Sequence, residues 1–397
     1  MPEAVLSSYD AGTFWCEMSS SGAAQTVRDR LAALPLDELK KRAADADAEL
    51  RDLGITFTVY SERATADRVL PFDCIPRVLS AEDWATIEAG VCQRVAALNH
   101  LLHDIYHEGK ILADGVIPAD LVLGNPNYRP VMRGVDLPHR TYVNVCGTDI
   151  VRDSSGGFMV LEDNARTPSG VGYVVENRHM MLRAFPDMLE GVDLRPVADY
   201  GSRLLGALRE VAPPVADPQV VLLSPGPYNS AYFEHVFLAR EMGVPLVEGR
   251  DLVVTEDDRV WMRTTGGLAR VEVIYRRIDD DYLDPEAFRP DSALGVPGLM
   301  RAYRAGKVAL ANAVGTGVSD DKAVYAYMPK AIRYYLDQDP ILPNVETHIC
   351  REPEALRYTL DHLEELVVKP VGEAGGYGIT IGPRASRREL EECRARL

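Results

Sequence analysis

Two short segments carry residue types that do chemistry only in company. The first, DIVRDSSGGFMVLEDN, runs from Asp149 to Asn164. Glu162 and Asn164 are two apart, so on a strand they project from one face and Asp163 from the other. Ser154, Ser155, Gly156 and Gly157 are a strong turn signal, and a hairpin closing there sets Asp149 opposite Glu162. One face then presents two carboxylates and a carboxamide oxygen. That hard, oxygen-only set suits a magnesium ion bridging phosphates. The competing reading, an acidic surface hairpin, fits any one of these residues better than all three in register.

The second segment, LVVKPVGEAGGYG, runs from Leu366 to Gly378. Lys369 ends an apolar strand, and Gly372, Gly375, Gly376 and Gly378 follow it closely. Backbone amides of such a loop can close on phosphate oxygens while the ammonium adds a point charge. The segment matches neither G-x-x-x-x-G-K-[ST] nor G-x-G-x-x-G. Taken alone, it reads equally well as a glycine-rich turn beside a solvated lysine.

The elements that must position these groups are legible in outline. Val27 to Leu53 reads as two helical pieces broken at Pro35 and stopped at Gly54. After the extended stretch GITFTVY and a proline-marked loop, a long helix begins at Ser80 and stops at Gly109. Its apolar positions, Trp84, Ile87, Val91, Val95, Leu98, Leu102 and Ile105, step by three and four, as a scaffold helix requires. TYVNVCG, DIVRD and FMVLEDN read as strands, followed by a helix over 174–185. Next comes QVVLLS as a buried strand, PGPYNS as a loop, a helix closed by Gly243 and a strand over 244–247. That order predicts a parallel α/β layer. A helix over 320–336, the strand LVVKPV, the strand ITIG and a helix opened by the Ser386/Glu389 capping box complete the chain.

The 397 residues are 46% hydrophobic and 26% charged, which excludes a largely disordered chain. Lysine and arginine number 43 against 60 aspartate and glutamate, a net charge of −17. This field repels nucleic acid and anionic membranes, so positive charge for a phosphate ligand must be supplied locally. No run is long and apolar enough to span a bilayer, and the N-terminus does not read as a signal peptide. Six scattered cysteines without a C-x-x-C pair read as reduced thiols in a cytoplasmic protein. His100, His103 and His107 share a helix face, but packing explains that spacing better than a metal does. Cys146, beside the hairpin, reads as a buried strand cysteine.

With both segments in view, the sequence resembles the circularly permuted ATP-grasp family over about residues 50–390. The lysine strand with its glycine loop and the Asp…Glu-x-Asn hairpin are the two halves of an ATP-grasp nucleotide site, here in reversed order. The resemblance extends to PFDCIPR, GVCQRVAALNHLLHDIY, LEDNARTPSGVGY, VIYRRIDDDYLDP and GTGVSDDKAVYAYMP. It implies an α/β fold in four parts. Residues 1–115 form a mostly helical N-terminal region, and 116–214 an ATP-grasp part with the metal-binding hairpin. Residues 215–312 form an α/β pre-ATP-grasp-like domain, and 313–397 an ATP-grasp part with the lysine strand and glycine loop.

The same resemblance implies roles. Asp149, Glu162 and Asn164 match the magnesium ligands; Lys322 and Lys369 match the lysines that hold ATP phosphates. Gly375, Gly376 and Gly378 match the phosphate lid. Arg166 is expected near the transferred phosphate, Ser169 and Gly170 at a substrate carboxylate, and Arg276 and Arg277 at substrate or phosphate, unless one of the pair bridges Asp279 or Asp280. Some ligases of this superfamily carry an arginine where this chain has Gly147, so its role passes to Arg152, Arg166 or another arginine. Nothing after Lys369 matches the adenine-recognising strand of the family, so either the chain is incomplete at its C-terminus, as its uncapped last helix favours, or adenine recognition is degraded. The implied activity is ATP- and magnesium-dependent joining of a small-molecule or peptide carboxylate to an amine through an acyl phosphate. A phosphotransferase using the same site and an idle nucleotide-binding or assembly module are the alternatives.

Overall fold

The computed structural model describes residues 22–61, 64–69, 71–153, 155–372 and 378–397. Helices α1 (Gly22–Ala33) and α2 (Leu36–Asp52) are separated at Pro35, whose extended backbone precedes the first turn of α2. The stretch after Gly54 is an antiparallel hairpin of β1 (Thr56–Ser61) and β2 (Ala64–Val69). The long helix α3 (Ala81–Tyr106) starts where Ser80 accepts a hydrogen bond from the Asp83 amide at 3.0 Å. Leu98, Leu101, Leu102 and Ile105 are buried along it. It ends three residues before Gly109, because Asp104 redirects the chain: its carboxylate accepts from the amides of Lys110 and Ile111, each at 2.8 Å.

The run TYVNVCG is not a strand. The amides of Tyr142 and Val143 donate to the Asn99 side chain, and those of Asn144 and Val145 to the Asn312 side chain. With those donors spent on two asparagines, no ladder can form, whatever the β-propensity of the residues. The hairpin proper begins at Gly147, with β3 (Gly147–Arg152) antiparallel to β4 (Phe158–Asn164), followed by α4 (Val171–Ala184) and, further on, α5 (Tyr200–Glu210).

The middle of the chain forms the expected parallel layer. Strand β5 (Val220–Leu223) is followed by α6 (Tyr232–Met242), which Gly243 terminates in the left-handed region at φ 67°. Strand β6 (Leu246–Val247) comes next. An antiparallel meander of β7 (Leu252–Val254), β8 (Val260–Thr264) and β9 (Gly267–Val271) leads to β10 (Val273–Arg276) and β11 (Ala309–Ala311). The parallel order is β11-β10-β5-β6. Every residue of β5 and β10 is buried, and alternate residues enter different cores. Val220, Leu222, Val273 and Tyr275 pack with Leu204 and Leu208 of α5 and Phe237 and Leu238 of α6. Val221, Leu223 and Ile274 join the larger core that contains Leu98, Leu101 and Leu102 of α3. Apolar cover on both faces is why these strands read as continuous hydrophobic runs.

The expected helix over 320–336 is broken. A 3-10 turn, Thr316–Asp320, gives way to α7 (Lys322–Ala326), capped by the Asp321 carboxylate on the amides of Ala323 and Val324. Pro329 then opens α8 (Met328–Leu336). After α9 (Pro353–Asp361), the pair β12 (Val367–Val368) and β13 (Thr380–Ile381) is antiparallel. The closing helix α10 (Arg387–Arg396) carries the reciprocal Ser386/Glu389 capping box. Among the described residues, no helix is long and apolar enough to cross a membrane.

Candidate active site

The hairpin has the register its sequence implied: Asp149 lies opposite Glu162, Thr148 opposite Asp163 and Gly147 opposite Asn164. A bulge between Asp149 and Ile150 follows directly. Asp163 turns inward and pairs with Arg94 of α3 through two 2.8 Å contacts from Nε and one of 2.7 Å from Nη2. Both side chains are essentially fully buried. Arg94 also donates to Asn344 at 2.8 Å, and Thr148 donates to Asp163 at 3.3 Å. The helix thus grips the hairpin from behind, leaving Asp149, Glu162 and Asn164 on the other face. The Asn164 amide nitrogen donates to the Gly147 carbonyl at 3.1 Å, which fixes the carboxamide and leaves its oxygen as an acceptor.

The distant end of the chain meets this face. The Lys322 ammonium lies 3.7 Å from Glu162 Oε2, and the Lys322 amide donates to the Val371 carbonyl at 3.1 Å. Lys369, two residues before Val371, is close enough for its charge to act on Asp149. The Asp149 carboxyl is nonetheless held above its ordinary range. Lost hydration is the main cause, followed by the Glu162 charge and a hydrogen bond with Glu162, with Lys369 opposing. Two carboxylates set side by side on one face in this way are a ready acceptor for a divalent cation. Among the described residues, no three histidine, cysteine or carboxylate side chains converge closely enough to hold a metal by themselves. Any cation here would therefore depend on the carboxamide, phosphate oxygens or water for its remaining ligands.

Gly378 adopts φ +69°, and a Cβ there would approach Pro370 Cγ to 2.9 Å, so Gly378 packs closely against the residue after Lys369. Gly375 and Gly376 lie outside the described residues.

The arginines divide into different roles. Arg166 lies 3.4 Å from Asp279 and 3.6 Å from Asp320, both measured from Nε. Burial, against the amides of Ala165 and Arg166 and the Arg166 charge, pushes the Asp320 carboxyl up to about 6. Arg152 donates to the Gly156 carbonyl at 2.9 Å, stacks over Phe158 and lies 3.6 Å from Asp83. It braces the turn at the far end of the hairpin from Asn164. Arg276 is fully buried and spends its guanidinium on the carbonyls of Asn312, Ile278 and Ala313, at 2.7 to 2.9 Å, and on Asp280 at 2.8 Å. Arg277 is buried too, bonded to the Pro168 carbonyl and 3.1 Å from Glu234.

Ser169 and Gly170 already hold a carboxylate, and it belongs to the protein. Glu234 of α6 accepts from the Ser169 hydroxyl at 2.9 Å and from the amides of Gly170 and Gly172, the latter at 3.2 Å. An acid from another element thus caps the N-terminus of α4, and Arg277 neutralises it. Sequence reasoning passed over Glu234, Asp320 and the Arg94–Asp163 pair. The adjacent aspartates of SDDK were the only local hint. His100 stacks on Tyr335, and His107 bonds the His103 carbonyl at 2.9 Å and approaches Asp136 to 3.3 Å, so this helix face is engaged in packing.

His235, next to Glu234, is buried against Ser224 with Nδ1 at 2.9 Å from the hydroxyl. Burial, reinforced by the Arg277 charge, pushes it down to about 3. The unfolded chain takes up a proton near pH 6.5 that the native state refuses until about pH 3, so stability falls as pH drops through that window. His235→Gln is expected to remove a loss on the order of a few kcal/mol across the window. Melting temperatures at pH 5 and pH 7 should therefore lie closer together in the variant than in the wild type.

A carboxylate hairpin faced by Lys322, within reach of the Lys369 charge and beside a parallel layer, defines the class: a mixed α/β protein. The chain belongs to the circularly permuted ATP-grasp family, whose model, "A circularly permuted ATPgrasp", matches residues 76–397. It is 49% identical over 398 residues to an uncharacterized protein of Synechocystis sp., covering 99% of this chain and 82% of that one. It is 51% identical over 361 residues to an uncharacterized protein of Mycobacterium tuberculosis, covering 91% and 65%. A Frankia casuarinae protein named "Putative glutamate--cysteine ligase 2-2" is 43% identical over 371 residues, covering 93% and 42%. The chain thus spans just under two thirds of the mycobacterial relative and less than half of the Frankia one.

Proposed function

We propose that this chain carries the site of an ATP- and magnesium-dependent ligase that joins a small-molecule or peptide carboxylate to an amine. The observation that carries the reading is the approach of Lys322 to Glu162, opposite Asp149, with the Lys322 peptide bonded to Val371 just beyond Lys369. Family membership and a relative named as a glutamate–cysteine ligase support it at the level of a carboxylate–amine ligase.

In this reading Asp149, Glu162 and the Asn164 oxygen hold magnesium, which when bound draws charge from the β- and γ-phosphates. Lys322 and Lys369 position those phosphates. Arg166 steadies the terminal phosphate as the substrate carboxylate attacks it. An amine then displaces phosphate from the resulting acyl phosphate. Positioning and charge neutralisation carry the catalysis, so no side-chain nucleophile is required. The five cysteines among the described residues are free thiols, in keeping with a cytoplasmic enzyme.

The test has two parts. Calorimetry should detect ATP binding that depends on magnesium, and a coupled assay over mixed carboxylates should detect ADP release that requires an amine. ADP release without any amine would favour a phosphotransferase. Absence of magnesium-dependent nucleotide binding would reject the site.

A further inference from the structure

Asp320 acts on both the backbone and the side chain that follow Asn164. Its Oδ1 accepts from the Ala165 amide at 2.6 Å and the Arg166 amide at 3.1 Å. Its Oδ2 lies 3.6 Å from Arg166 Nε, and Asp279 Oδ1 lies 3.4 Å from the same atom. That nitrogen is enclosed yet makes no hydrogen bond. Carbon Cδ of Arg166 packs where a Cβ on Gly317 would sit only 3.2 Å away, so the stem of the side chain is confined. Arg166 is therefore held by two charges and a tight wall but not by directed hydrogen bonds. A guanidinium in that state keeps its planar fork for another anion. Asp320 is also two residues from Lys322, whose ammonium faces Glu162. One short segment thus sets the cation on each side of the hairpin end.

We infer that Asp320 is a positioning residue for the terminal phosphate: it fixes the Ala165–Arg166 backbone and aims Arg166 at the γ-phosphate of the bound nucleotide. The inference rests on the nucleotide-site reading above and adds to it which residue makes the site distinguish ATP from ADP. Asp320→Asn separates the two jobs of the carboxylate. Both amides bond Oδ1, which asparagine keeps, whereas the charge facing Arg166 is lost.

The experiment measures binding of ADP and of the non-hydrolysable analogue AMP-PNP, each with magnesium, to the wild type, Asp320→Asn, Arg166→Ala and the double variant. The wild type should prefer AMP-PNP. Asp320→Asn should cut that preference by about tenfold, leaving ADP affinity within about twofold and the melting temperature nearly unchanged. The double variant should match Arg166→Ala, because Asp320 acts through the arginine. Plain repulsion predicts the opposite sign, since deleting an anion near a phosphate would tighten AMP-PNP. Tighter AMP-PNP, equal weakening of both nucleotides, or multiplying effects in the double variant would each overturn the inference. Failure of the wild type to bind either nucleotide would instead reject the underlying site.

Discussion

Glu162→Ala is expected to lower magnesium-dependent ADP release by on the order of a thousandfold or more. Glu162 is the residue on which the two ends of the site converge. It lies opposite Asp149 in the hairpin register, and its Oε2 faces the Lys322 ammonium at 3.7 Å. Alanine removes a proposed metal ligand and the anion facing that lysine in one step. It also removes the like charge that helps hold the Asp149 proton, so the Asp149 carboxyl should titrate lower in the variant. Carbon-detected NMR of the aspartate carboxyls would read that shift independently of turnover. The buried Asp163 faces the other way, so the fold should survive. Wild-type rates of ADP release in Glu162→Ala would discard the metal assignment.

The largest effect on stability is expected at Asp163, between the proposed ligands Glu162 and Asn164. Asp163→Ala leaves Arg94 fully buried without its anion, a change that typically costs about 3–5 kcal/mol. The loss should appear as a lower denaturation midpoint. It should also weaken magnesium binding, because the hairpin loses its grip on α3. Replacing both partners together, as Arg94→Met with Asp163→Leu, should recover much of the loss, since an apolar pair carries no desolvation penalty. Recovery would identify the penalty as that of an orphaned charge. Equal damage from the single and double replacements would instead point to the Arg94–Asn344 contact.

What could be read from the sequence was what depends on local period and local turn chemistry. The pairing of Asp149 with Glu162 follows from a strand period of two and a Ser-Gly turn. The starts at Ser80 and Ser386 follow from capping, and the end at Gly243 from a left-handed residue. The motifs also sufficed for the family, because the lysine strand and the carboxylate hairpin each keep a compact spacing. What escaped was set by partners far along the chain. Tyr142 to Val145 have strand-forming side chains, but Asn99 and Asn312 take their amides. Arg276 and Arg277 look alike in YRRIDDD, yet one clamps the 312–313 backbone and the other balances Glu234. Ser169 and Gly170 read as open to a substrate until α6 brings Glu234 against them. Apart from the Arg276–Asp280 pair, which YRRIDDD itself suggests, none of these outcomes is encoded in a window of ten residues.

The bond between the Lys322 peptide and the Val371 carbonyl has a mechanical consequence. The same residue reaches Glu162 with its side chain, so the backbone beyond Lys369 and the carboxylate hairpin are tethered through a single amino acid. Peeling that backbone away to discharge a spent ligand would tug Lys322 off Glu162 in the same stroke. On the function proposed above, release of product and loosening of the carboxylate hairpin would be coupled through Lys322.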